Sequence, residues 1–84
     1  MKKAWTDDAW NDYLEWQKKD KKVLKKINDL IKDIDRNGTK GLGKSEVLKH
    51  KKAYSKHIDD KNRLVFDIRN NELVIISCKG HYDD

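Results

Sequence analysis

Between Asp20 and Gly38 the apolar residues Val23, Ile27, Leu30, Ile31 and Ile34 recur at the spacing of one helical face, and mostly Lys and Asp stand between them. This one-sided stripe predicts a helix that begins near Asp20 and stops at Asn37-Gly38. Its apolar side must be covered by another element. Residues 62–82, NRLVFDIRNNELVIISCKGHY, supply the cover. They hold two strand-forming runs, 64–68 and 73–76, separated by a polar break at Asn70-Asn71. Asn tolerates positive φ, so the break predicts a tight two-residue hairpin turn.

The remaining elements follow in order. Residues 2–5 predict a short first strand at or near a sheet edge. Thr6 is a good N-cap, and Asp7 and Asp8 suit the positive end of a helix dipole, so a first helix runs to about Lys18. Trp10 and Leu14 lie on one of its flanks and Ala9, Tyr13 and Trp16 on the other, a stripe that suits core or a partner-facing surface. Residues 36–45 form a basic link with Gly38, Gly41 and Gly43. It lacks the glycine and lysine spacing of a P-loop, which argues against nucleotide binding.

A short extra strand is expected near Val47-Leu48 and a longer one over 54–58, with 59–62 turning into the hairpin. The order β-α-α-β-β-β predicts an α+β fold: a twisted antiparallel sheet with the N-terminal helical hairpin on one face and the other face open and concave. With 84 residues this is a single domain, 1–84. Folding at this size buries only ~60–65% of the extended-chain surface, so a partner or a second copy would help.

Twenty Lys and Arg against fifteen Asp and Glu give a net charge of +5. That balance favours a polyanionic partner or serves solubility. Cys78 is the only cysteine. It excludes an intramolecular disulfide, fits a reducing compartment, and reads as a small core residue. No apolar run follows Met1-Lys2-Lys3, and nothing approaches membrane-spanning length, so a cytoplasmic protein is expected.

Alternation along the hairpin puts Leu64, Phe66 and Ile68 on one side and Arg63, Val65 and Asp67 on the other. The first set belongs against the helices. On the preceding strand Tyr54, Lys56 and Ile58 share a face, as do Ser55 and His57. Antiparallel pairing brings Arg63 near the residues just past the hairpin exit, His81-Tyr82. A cation and an imidazole then sit side by side at one end of a rigid sheet.

In this order the chain resembles a YoeB/Txe-type toxin of the RelE-like (RelE/ParE) superfamily, the mRNA-cleaving half of bacterial toxin–antitoxin pairs. The residues that carry the resemblance are Trp5, Asp12-Tyr13-Leu14, residues 25–32, Gly43-Lys44-Ser45-Glu46, Leu48-Lys49-His50, Arg63-Leu64-Val65-Phe66 and His81-Tyr82. The resemblance implies a RelE-like fold and a catalytic site of Glu46, Arg63, His81 and Tyr82. It places Lys44, Lys49, His50, Lys56 and His57 along the RNA. It further implies no cofactor, cleavage that depends on the ribosome, a YefM-like acidic antitoxin and a homodimer.

These residue types suit metal-independent RNA cleavage by 2′-OH attack. Glu46 serves as base, His81 as acid and Arg63 as counter-charge, with Tyr82 orienting a nucleobase. A zinc site of His50, His57 and His81 matches no common ligand spacing. The chain departs from the family pattern at Tyr54-Ser55-Lys56-His57, where an aromatic-Ser-Arg-Arg run is usual. Lys61 stands where an acidic residue is usual, proline is absent, and Asp83-Asp84 extend past the tyrosine. The alternative is therefore a catalytically weakened RelE-like binding protein that engages antitoxin or rRNA. A DNA-binding module is disfavoured, because no helix carries the side chains of a recognition helix.

Overall fold

A computed structural model describes residues 1–40, 46–48 and 53–80. The elements are β1 (Lys2–Trp5), α1 (Asp7–Lys19), α2 (Lys21–Asn37), a 3-10 turn (Gly38–Lys40), β2 (Glu46–Val47), β3 (Tyr54–His57), β4 (Arg63–Arg69) and β5 (Glu72–Ser77).

Capping residues place both helices. Thr6 Oγ1 accepts from Ala9 N at 3.1 Å. Asp20 closes α1 by donating its backbone N–H to Trp16 O, and opens α2 by accepting from Lys22 N and Val23 N through Oδ1. One residue thus serves as stop and start, and the two helices meet without a loop between them. A cap of this kind is worth about 0.5–2 kcal/mol. Gly38, at φ 64, ends α2 with its N–H on Ile34 O. That φ suits glycine because it has no Cβ to clash.

The strands form one sheet in the order β1-β5-β4-β3-β2. Four of them pair antiparallel as expected, but β1 runs parallel to β5, so the sheet is mixed. The residue after β1 explains the direction. Thr6 donates its N–H to Ile75 O at 3.0 Å and its hydroxyl to Ile76 O at 2.7 Å. The chain therefore leaves β1 beside the last residues of β5, and α1 returns from there over the sheet.

Val23, Ile27, Leu30, Ile31 and Ile34 of α2 meet Leu64, Phe66, Leu73, Ile75 and Cys78 of the sheet in a single apolar cluster. Asn70 and Asn71 take φ values of 49° and 61°, and Arg69 pairs with Glu72, which makes the two-residue hairpin predicted from the Asn pair. Phe66 lies opposite Ile75 but Val65 lies opposite Ser77, so β5 carries one extra residue between them. This bulge changes the parity of the strand. Leu73 and Ile75 enter the core two residues apart, and Cys78 enters three residues later.

The face away from the helices is not wholly open. Leu48 and Ala53 cover Val65, with Ile76 packed alongside, in a second small cluster. Among the described residues no helix is long and apolar enough to cross a membrane.

Candidate active site on the sheet face away from the helices

Strand pairing assembles the site from β2, β3 and β4. Glu46 lies opposite Ser55, and His57 lies opposite Arg63. Directly opposed residues project to the same side of a sheet, so all four belong to the face away from the helices. Arg63 Nη1 donates to Glu46 Oε2 at 3.3 Å, and His57 Nε2 stands 4.0 Å from Glu46 Oε1. The Arg63 side chain is only 13% exposed, whereas Glu46 and His57 are 52% and 54% exposed. A fixed guanidinium thus sits under a carboxylate and an imidazole that solvent and a substrate can reach. Ser55 is buried, and Asp67 lies buried with its carboxylate on Arg69. Among the described residues, the reachable polar groups at the Arg63 end of this face are Glu46, His57 and the edge of Arg63, while Arg69 is exposed at the far end of β4.

Lys56 does not join them. It is 1% exposed and points to the opposite face, where its Nζ lies 3.7 Å from Asp33 Oδ2 on α2. Its neighbours on the same face, Tyr54 and Ile58, pack into the main core. An RNA-binding role for Lys56 is therefore ruled out by burial, and its charge serves an interior ion pair. Lys44, Lys49, His50, His81 and Tyr82 lie outside the described residues.

The chain just before His81 is pinned one residue at a time. Cys78 N donates to Asp12 Oδ2 at 3.1 Å, and Cys78 O accepts from Trp16 Nε1 at 2.8 Å. Lys79 Nζ donates to Glu15 at 2.9 Å. Gly80 O accepts from Arg63 N at 3.0 Å, and Gly80 N donates to Asn62 Oδ1 at 2.9 Å. So Gly80 sits beside the backbone of Arg63, as the expected closeness of the two hairpin ends requires. Asp12, Trp16 and Asn62 were not singled out as anchors from the sequence. The available signal was Asp59-Asp60-Lys61-Asn62, a turn-forming run directly before Arg63.

Electrostatics follow these contacts. Hydrogen bonds from Lys19 and Lys79 hold the Glu15 carboxyl down at about 2. Burial lifts the Asp12 carboxyl above its ordinary range despite the bond from Cys78 N. Burial, reinforced by Asp12, pushes the Cys78 thiol up to about 12, so it is no nucleophile near neutrality.

A family model described as the YoeB-like toxin of bacterial type II toxin-antitoxin systems matches residues 5–82. The chain belongs to this toxin family. Toxin YoeB of Escherichia coli K12 is 44% identical over 84 residues, covering 98% of this chain and 100% of the relative. The YoeB/ParE toxin from Agrobacterium tumefaciens superposes with a TM-score of 0.92 at 38% identity, covering 98% and 100% of the two chains. YoeB from Staphylococcus aureus is similar in two assemblies, each covering 98% of both chains. One is a heterotetrameric YoeB-YefM complex, with a TM-score of 0.89 at 44% identity, and the other is a YoeB dimer, with 0.90 at 42%. The α+β fold and the toxin class expected from the sequence are those of these YoeB relatives.

Proposed function

We propose that this chain is a ribosome-dependent mRNA endoribonuclease that works by general acid–base chemistry, with Glu46, Arg63, His81 and Tyr82 as its catalytic residues. The observation that carries the reading is the convergence of Glu46, His57 and Arg63 on one face, with Gly80 bonded to the Arg63 backbone. Glu46 takes the proton from the 2′-OH as its oxygen attacks the adjacent phosphorus. Arg63 offsets the charge that builds on the phosphoryl oxygens. His81 protonates the departing 5′-oxygen, and Tyr82 orients a base. The products are a 2′,3′-cyclic phosphate and a 5′-hydroxyl.

General acid–base assistance contributes roughly 10²–10⁴-fold per group, and a preorganised charge partner adds a comparable factor. Lys44, Lys49, His50 and His57 would track the RNA backbone, and the net charge of +5 steers the encounter. The Staphylococcus aureus assemblies support two partners, a YefM-like antitoxin and a second copy of the chain, and the proposed place of action is the cytoplasm. The domain spans residues 1–84.

The test is single-turnover cleavage of mRNA on programmed ribosomes, with product ends mapped and with chelator present. Cyclic-phosphate ends lost in Glu46→Gln and His81→Ala support the reading. Equal growth arrest from those variants and the unaltered chain would instead assign a binding protein.

A further inference from the structure

The residue before Arg63 does a task that backbone pairing alone does not explain. Asn62 Nδ2 donates to both carboxylate oxygens of Asp59, at 3.1 and 3.2 Å. A carboxylate only accepts, so the amide NH2 must face Asp59 and the amide oxygen must face the other way. That oxygen accepts from Gly80 N at 2.9 Å. Asp59 is itself fixed, because Oδ1 also accepts from Lys61 N at 2.8 Å and Asn62 N at 2.7 Å. Burial works to raise the Asp59 carboxyl, but the bonds from Lys61 and Asn62 outweigh it and hold the group below its ordinary range. The Asn62 carbonyl accepts from Ile58 N and Asp59 N, which closes the turn. The run Asp59–Asn62–Gly80 therefore ties the turn before β4 to the chain after β5.

We infer that Asn62, oriented by Asp59, is a positioning residue for the proposed RNA cleavage: it fixes Gly80, and with it the point from which His81 extends, beside Arg63. This rests on the nuclease reading above. Gly80 O already bonds Arg63 N, so the Asn62 side chain supplies the second tie and leaves Gly80 no rotation about one bond. Gly80 has φ +84, and a Cβ built there would meet nothing within 4 Å. Among the described residues, the two hydrogen bonds are the ties shown at that glycine. The amide is suited to the task because it offers a donor and an acceptor side by side. Alanine offers neither, aspartate sets a second acceptor against Asp59, and a neutral imidazole again offers one of each.

The experiment compares Asn62→Ala and Asn62→His with the unaltered chain at about pH 8, where added imidazole is neutral. Two quantities are read: hydrogen exchange of the Gly80 amide, and single-turnover mRNA cleavage as a function of ribosome concentration. In Asn62→Ala the Gly80 amide exchanges roughly five- to tenfold faster, as loss of one hydrogen bond implies. The rate at saturating ribosome falls roughly tenfold, as misplacement of a reacting group implies, while the half-saturating concentration stays within about twofold. Asn62→His restores protection and rate together. Protection lost with the rate intact, or rate lost with protection intact, overturns the inference. Should the alanine variant not fold, the unaltered chain still decides, since a Gly80 amide exchanging at its unprotected rate also overturns it. An unaltered chain that cleaves nothing sinks the nuclease reading instead, and the positioning of Gly80 then stands or falls with its exchange.

Discussion

Arg63 and Glu46 are joined across a strand that belongs to neither. Arg63 opens β4, Glu46 opens β2, and their 3.3 Å contact passes over β3 beside His57. Neither residue needs a flexible loop to reach the other, because pairing of β2 with β3 and of β3 with β4 fixes both backbones. A carboxylate and a guanidinium held in this way have little freedom left to lose, which is the sense in which a site is preorganised.

From this pairing we expect Glu46→Gln to lower single-turnover cleavage by roughly 10²–10⁴-fold with binding little changed, since it removes a proton acceptor and keeps the shape. Arg63→Lys keeps a charge but gives up the planar fork, and a loss of roughly ten- to a hundredfold is expected. Ribosome binding and cleavage rate measured separately check both. A normal rate in Glu46→Gln would take the base assignment away from this residue.

Lys56 predicts a stability effect without a catalytic one. Its ammonium is buried against Asp33 of α2, so Lys56→Met removes the opposite charge from a carboxylate that is 17% exposed and keeps its bond from Asn37 Nδ2. A loss of about 1–3 kcal/mol is expected in urea unfolding, with an unchanged m-value. The cleavage rate of the folded fraction should not move. A rate that falls while the unfolding midpoint holds would return Lys56 to the RNA face.

The helices were legible because their signals are local: a 3.6-residue stripe on α2, capping residues at Thr6 and Asp20, and Gly38 at the end. The Asn70-Asn71 turn was legible for the same reason. The direction of β1 was not, since a four-residue strand reads identically parallel or antiparallel and only its bonds from Thr6 decide. Lys56 sat between core positions in the alternation, yet the Asp33 that neutralises it lies on another element and leaves no trace in the local pattern. Leu48 and Ala53 likewise reach Val65 only through tertiary contact. At the site, alternation alone put Arg63 and His57 on the polar face. The meeting with Glu46 came from family resemblance, and the anchoring of Gly80 by Asn62 from neither.

Acid should destabilise the fold through several small terms of one sign. Glu15, held at about 2 by Lys19 and Lys79, adds stability that is complete above its ordinary range and is lost as pH falls towards that value. Asp29 is lowered by Lys25, Asp35 by the N-terminal ammonium, and Asp59 by the turn amides that outweigh its burial, so each works in the same direction. Asp12 is raised by burial and works in the opposite direction, since its protonation in acid relieves a buried charge. Four against one predicts that urea midpoints fall between about pH 4.5 and 2, with Glu15→Gln flattening part of the decline and Asp12→Asn steepening it. Midpoints that stay level over that interval would show that these contacts do not persist in solution.

His57 carries the sharpest expectation about rate. It lies opposite Arg63 and 4.0 Å from Glu46, with 54% of its side chain exposed, so it borders any phosphate that Arg63 holds. Arginine forks onto two phosphate oxygens through parallel N–H donors, whereas each ring nitrogen of an imidazole offers at most one. His57→Arg should therefore raise ribosome-dependent cleavage at neutral pH, by roughly the three- to thirtyfold that one added charge-assisted hydrogen bond can supply. Lys56→Arg, on the buried face, should give no gain. The measurement is single-turnover cleavage of a programmed ribosome from pH 6 to 8. A rate for His57→Arg equal to that of the unaltered chain across the range would place position 57 outside the path of the RNA, and would leave Arg63 as the sole cation that the described residues bring to Glu46.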